Sequence, residues 1–236
     1  MSKGIDFEDD FLLVYLLYHK FNADGAFDSI RHFLNLKKNH SYLFHNIQFD
    51  FTAIPSCQFI TVLPYRRSDG SVTVIFEYGK VYWNEISIET LKQLVFIVYQ
   101  QLLRDPVSQV VGFNAIHDFS NAGIRLLRHC TISNLLLLNH VAFDCVPARY
   151  LEIHCVNGNF LLSTMLTLFK PFMSEKLRRI LYFHSSPTDL LNYFPPSVLP
   201  AKYGGKLTDY YMAKWLQKAN EQHESFTVKG QKNMFP

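Results

Sequence analysis

Ten histidines, four cysteines and a scatter of carboxylates are the side chains in this 236-residue chain that could do chemistry. Their spacing argues against most of it. Cys57, Cys130, Cys145 and Cys155 form no Cys-x-x-Cys pair and no zinc-like spacing. Their apolar neighbours predict buried free thiols in a reducing compartment. The histidines are dispersed, and the nearest pairs, such as His40 and His45, lie in a stretch without regular periodicity, so no metal site is expected. His117 and His154 fall in strand-like apolar runs, where a hydrogen-bonded core histidine is the default and a polar contact to a bound ligand the second reading. Asp118, Asp144 and Glu152 do not pair for acid–base work. No Gly-x-Gly-x-x-Gly, phosphate-binding loop, His-Glu-x-x-His or Gly-x-Ser-x-Gly pattern occurs. The expectation is a protein that is not an enzyme and uses no cofactor.

Two groups of residues remain. Phe160, Thr164, Leu168 and Phe172 recur every four residues, as do Leu161, Met165 and Phe169, which makes one broad apolar helical face. That face either covers a sheet or lines a pocket, and Met165 and Met173 add the adaptable surface a pocket uses. Lys170, Lys176, Arg178 and Arg179 come directly after it. A solvated helix end accounts for such cations, and contact with phosphorylated lipid headgroups is the sharper alternative. The net charge of +3 is too small and too spread for a nucleic-acid binder. Hydrophobic residues at 48% and aromatics at 15% supply a sizeable core and exclude a disordered chain.

The elements that must hold these residues alternate in type. Asp9-Asp10 open an apolar helix running to Lys20, and Ala26, Phe27, Ile30, Phe33 and Leu34 recur at helical spacing after the Asn22–Gly25 turn. These two helices form a small lobe whose core is thin unless it packs on the rest of the chain. Ser41–Pro55 reads as a connector, and Phe59–Leu63 and Val72–Phe76 as paired strands. Ser87–Arg104 reads as a helix with Leu91, Leu94, Val95, Val98 and Leu102 on one face. Val107–Ile116 reads as a doubly covered strand, Thr131–Phe143 as a helix, Leu151–Val156 as a strand and Asn159–Phe169 as a helix. Alternation of this kind predicts an α/β fold with a mostly parallel sheet and helical crossovers. An amphipathic helix over Asp209–Glu221 closes the chain. The division is residues 1–55 for the helical lobe and connector, 56–207 for the main domain, and 208–236 for the last helix and tail. The apolar run Phe11–Tyr18 is too short to span a bilayer, so a cytoplasmic monomer is expected.

The ordered set Pro147, Arg149, Ile153-His154, Asn157, Lys170-Pro171-Phe172, Lys176, His184, Leu199-Pro200 and Tyr203-Gly204-Gly205 resembles the CRAL-TRIO domain. The likeness extends from about Asp9 to Leu207. It implies an α/β sandwich that encloses a hydrophobic pocket under a gate helix, here Asn159 to about Arg179. It places Phe113, His117, Val141, Val146, Tyr150, Ile153, Phe169 and Met173 along the cavity, the apolar gate face adds Phe160 and Met165 as lipid contacts, and helical phase adds Leu94 and Val98. The implied ligand is small and hydrophobic: tocopherol-, retinoid- or phospholipid-like. The implied partner is a membrane surface touched transiently, with peripheral association. Arg149, Lys176, Arg178 and Arg179 are the candidate phosphoinositide contacts, and a membrane-recruited phosphoinositide sensor without cargo is the alternative. The basic pattern is incomplete, because Leu151, Ile180, Val14, Leu17 and His19 occupy positions that are basic in relatives.

Overall fold

A five-stranded sheet positions everything else. The computed structural model describes residues 7–48 and 50–229, so the tail from 230 on lies outside the described residues. The strands are β1 (Ile60–Val62), β2 (Val72–Glu77), β3 (Phe113–Asp118), β4 (Tyr150–Val156) and β5 (Leu181–Phe183), adjacent in that order. β1 and β2 pair antiparallel, and the remaining pairs are parallel. Parallel neighbours require crossovers over the sheet faces. α3 (Ile88–Leu102) and α4 (Pro106–Val111) join β2 to β3, and α5 (Ile132–His140) joins β3 to β4. α6 (Phe160–Phe169) and α7 (Glu175–Ile180) join β4 to β5. α1 (Asp9–Tyr18) and α2 (Ala23–Asn39) precede the sheet, and α8 (Ala213–Lys229) comes after it. The fold is the mixed, mostly parallel α/β sandwich that the family resemblance implies.

Both faces of the sheet are covered, which is why its strands are apolar throughout. On one face Val74, Ala115 and Ile153 lie in register. On the other, Ile75, Ile116 and Val156 pack under Leu190, Phe194, Leu199 and Tyr203. β4 carries a bulge, because Tyr150 pairs with Phe113 and Glu152 with Asn114, leaving Leu151 as the extra residue. The bulge breaks strand alternation, so Tyr150 and Ile153, three apart, share one face.

Val107–Ile116 is not the continuous strand its composition predicts. Asp105 accepts a hydrogen bond from the Ser108 backbone N–H at 2.7 Å, and Pro106 takes the first helical position, so the segment opens as α4. Gly112, at φ 106°, then turns the chain into β3. A Cβ there would also stand 2.4 Å from the Arg149 carbonyl oxygen, so conformation and space both require glycine.

The N-terminal helices share the main core. Phe27, expected on the inner side of α2, is exposed, and the inner face is Ala26, Ile30, Phe33 and Leu36. Phe33 meets Phe44 edge-on at 5.5 Å, and Phe44 meets Phe96 of α3 at 4.8 Å. The Tyr15 hydroxyl donates to the Cys145 carbonyl at 2.9 Å. The expected connector buries Leu43, Phe44, Ile47 and Phe51. The closing helix begins at Ala213 and is pinned by Asn220, whose amide pairs with the Ile47 N–H and C=O, each at 2.9 Å. All four cysteines are free and buried.

Candidate ligand-binding cavity

The cavity is built outward from α3. Ser87 caps this helix by accepting from the Thr90 N–H at 3.1 Å. The helix is buried on most of its circumference, so two faces do different work. Leu94, Ile97 and Val98 are sealed in the packed core. Ile88, Leu91, Lys92, Val95, Phe96 and Tyr99, spaced three and four apart, face an open space of about 290 Å³. Leu94 and Val98 therefore do not line it, a correction to the phase expected from sequence.

The sheet closes the second side with Phe76, His117, Tyr150 and Ile153, together with Phe59 just before β1 and Tyr78 just after β2. α5 and the π-helical turn Val141–Cys145 form the third side through Leu135, Leu138, Val141, Ala142 and Phe143, with Val146 behind them. Met165 and Phe169 of α6 and Leu177 of α7 cover the remainder. His117, Val141, Val146, Tyr150, Ile153, Met165 and Phe169 are thus brought together around one cavity. Phe113 sits in the core with its ring edge-on to Tyr99 at 5.5 Å. Met173 packs against the core beyond the wall. Phe160 lies on the outer side of α6 and is 70% exposed, because a face spanning residues 160 to 169 rotates its first turn away from the cavity.

The polar groups on this wall are few. The Tyr78 hydroxyl and His117 Nδ1 are hydrogen bonded at 2.8 Å, and the His117 ring stacks on Phe76 at 4.6 Å. Burial pushes the His117 pKa down to about 4, so the ring is neutral at physiological pH. The Tyr99 hydroxyl is shielded from solvent without a hydrogen-bond partner. It lies near enough to the Tyr150 hydroxyl for each phenol to affect the other's ionisation, without meeting hydrogen-bond geometry. Lys92 donates to Asn134 Oδ1 at 2.7 Å. Lys92, Tyr99 and Tyr78 escaped the sequence analysis because isolated polar residues on apolar elements look like solvent-facing positions.

The basic residues are arranged otherwise than the cavity. Arg149 donates to the carbonyls of Val110 at 3.1 Å and Leu17 at 3.5 Å, tying α4 and α1 to β4. Lys176 lies over the Tyr18 ring at 5.7 Å, Arg178 donates to the Lys170 carbonyl at 3.0 Å, and Arg179 pairs with Glu175. Lys176, Arg178 and Arg179 are exposed on α7, directly beyond the helix that covers the cavity.

His154 is on the opposite sheet face, away from the cavity. Its Nδ1 meets His184 Nε2 at 2.9 Å, and its ring stacks on Tyr182 at 5.1 Å. The chain's Tyr203-Gly204-Gly205 mark closes that face. The Tyr203 hydroxyl donates to Asp118 at 2.8 Å, and Lys202 bridges Asp118 at 3.0 Å and Glu77. A Cβ at Gly205 would stand 2.0 Å from the Leu199 carbonyl oxygen. Burial works to raise the Asp118 pKa, but hydrogen bonds from Asn157, Ser120 and Tyr203 and the Lys202 charge outweigh it and hold it at about 2.

Among the described residues, no group of three or more His, Cys, Asp or Glu is placed to hold a metal, and no helix is long and apolar enough to cross a membrane. Known proteins resemble the chain in both sequence and fold. The CRAL/TRIO domain profile matches residues 58–205. Clavesin-1 of Rattus norvegicus is 27% identical over 212 residues, covering 88% of this chain and 60% of that protein. Clavesin-2 of Homo sapiens is 25% identical over 218 residues, covering 88% of this chain and 65% of that protein. The chain therefore spans about 60% of the length of the curated relatives it matches. The crystal structure of Sfh5 superposes with a TM-score of 0.62 at 14% identity, covering 94% of this chain and 80% of that one, which is a likeness of fold.

Proposed function

Because the chain belongs to the CRAL/TRIO domain family of lipid-binding domains, we propose that it carries one small hydrophobic molecule and releases it at a membrane surface without converting it. The observation that carries this reading is the cavity of about 290 Å³, walled by aromatic and aliphatic side chains with only a few polar groups. A site of that kind binds by apolar burial and shape, and its few polar atoms orient the ligand. α6 covers the cavity with Met165 and Phe169 inward and Phe160 and Leu168 exposed, and Phe172 is exposed in the turn that follows it. A cover that is greasy on both sides suits a gate that opens against lipid. Lys176, Arg178 and Arg179 lie beside it, where an anionic headgroup layer would hold the gate at the surface. A phosphoinositide sensor without cargo would leave the cavity without a role, so the carrier reading is preferred.

Native mass spectrometry of protein purified from cells tests the proposal, together with titration against a tocopherol, a retinoid and a phospholipid. One bound hydrophobic species per chain is expected, and Ile153→Trp, which fills the cavity, should weaken its binding at least tenfold. Charge reversal at Lys176 and Arg178 should weaken vesicle binding and leave ligand affinity in solution unaltered. No bound species and no binding across the panel would end the carrier reading.

A further inference from the structure

Lys92 is an unusual residue to find on an apolar wall. Only 8% of it is exposed, and it lines the cavity between Leu91 and Val95. Its Nζ has one hydrogen-bond partner, the neutral Oδ1 of Asn134 at 2.7 Å. The Asn134 amide is committed as well, since its Nδ2 donates to the His129 carbonyl at 2.9 Å. Among the described residues, no carboxylate reaches Lys92 within ion-pair distance. Glu89, one turn earlier, favours the charged form only from afar. An ammonium set in an apolar wall with only a neutral partner is costly, and such groups are normally paired with an opposite charge. The ammonium also retains donors beyond the one given to Asn134. Burial lowers the Lys92 pKa, a cost that an anion beside it would relieve.

We propose that the cavity takes a lipid bearing a free carboxylate, with the carboxylate on Lys92 and the chain along the wall from Val95 toward Tyr99 and Tyr150. This rests on the carrier reading and names the class of cargo. A single monovalent anion matches the site. One ammonium and no guanidinium fork would leave the second charge of a phosphate monoester uncompensated in an apolar surround. The distance also fits, because seven residues of α3 separate Lys92 from Tyr99, about 10 Å along the helix axis, and the wall between them is apolar.

The test compares oleate, oleyl alcohol and oleoyl lysophosphatidate, three ligands with the same chain, delivered from cyclodextrin to the full chain. Wild-type protein should bind oleate at least tenfold tighter than oleyl alcohol and tighter than the lysophosphatidate. Lys92→Met, which keeps the length of the side chain and removes its charge, should reduce the oleate-to-alcohol ratio to within twofold. The wild-type comparison stands even if that variant fails to fold. Equal binding of acid and alcohol, or tighter binding of the lysophosphatidate, overturns the assignment and spares the carrier reading. A full preference for oleate retained by Lys92→Met also overturns it. Binding of none of the three overturns the assignment, and the carrier reading falls with it only if the tocopherol, retinoid and phospholipid panel also fails to bind.

Discussion

At the scale of single residues, the cavity is defined as much by what its polar atoms lack as by what they do. The Tyr99 hydroxyl is buried without a partner, while its ring packs on Phe113 at 5.5 Å and Tyr150 at 5.4 Å. An unmade hydrogen bond costs the desolvation of the group and returns nothing. Tyr99→Phe keeps the ring contacts and removes the cost, so the ligand-free protein should gain about 1 kcal/mol in a urea titration. A loss of stability instead would mean that the hydroxyl is satisfied. Residue-level features of this sort were barely legible in the sequence. Lys92 and Tyr99 stand among apolar neighbours on a helix buried nearly all round, and periodicity does not separate a packed face from one that fronts a cavity. The same ambiguity put Leu94 and Val98 on the wall when they belong to the core. His117 and Ile153 are legible only through the family resemblance, and the register shows why they fit it: both lie on the face opposite Ile116 and His154. Tyr150 shares that face only through the bulge at Leu151, which single-sequence alternation does not reveal.

At the scale of elements, α6 is the part with two faces. Its inner residues Met165 and Phe169 touch the cavity, and its outer residues Phe160 and Leu168 are exposed. Exposed apolar side chains on the outer face of a cavity's cover gain burial only against lipid or another apolar surface. Phe160→Ser with Leu168→Ser should therefore slow ligand transfer from protein to vesicles at least fivefold, while affinity measured in solution stays within twofold of wild type. Transfer at the wild-type rate would separate α6 from membrane contact. The alternation of strands and helices that builds this element was visible from hydrophobic runs alone. Asp105-Pro106 is a helix-start pair that signals α4, but the mostly apolar composition of Val107–Ile116 outweighs it. β5 is not legible because it is three residues long and follows α7 without a break.

At the scale of the whole molecule, the buried histidines set how the fold responds to acid. Burial lowers His117 from 6.5 to about 4. It lowers His154 to about 4 as well, with the charges of His184 and Arg67 acting in the same direction and the bond to Glu152 opposing. His223, on α8 against Phe96 of α3, is likewise held at about 4, chiefly by burial. A group whose folded pKa is depressed contributes stability above its unfolded pKa and loses it as pH falls toward the folded value. Between about pH 6.5 and 4 the unfolded chain therefore takes up protons that the folded chain refuses. Each such histidine contributes on the order of 1–3 kcal/mol to that loss. Asp118, held at about 2, adds a second loss at lower pH, from 3.8 downward. The three rings lie on both sheet faces and at the closing helix, so the loss is a property of the fold and not of one site. The unfolding midpoint should stay level between pH 7 and 8, fall through pH 6 and 5, and fall further below pH 4. Chemical denaturation at half-unit pH steps checks this, and a flat profile from pH 7 to 5 would show that these rings titrate normally and are not held neutral by the core.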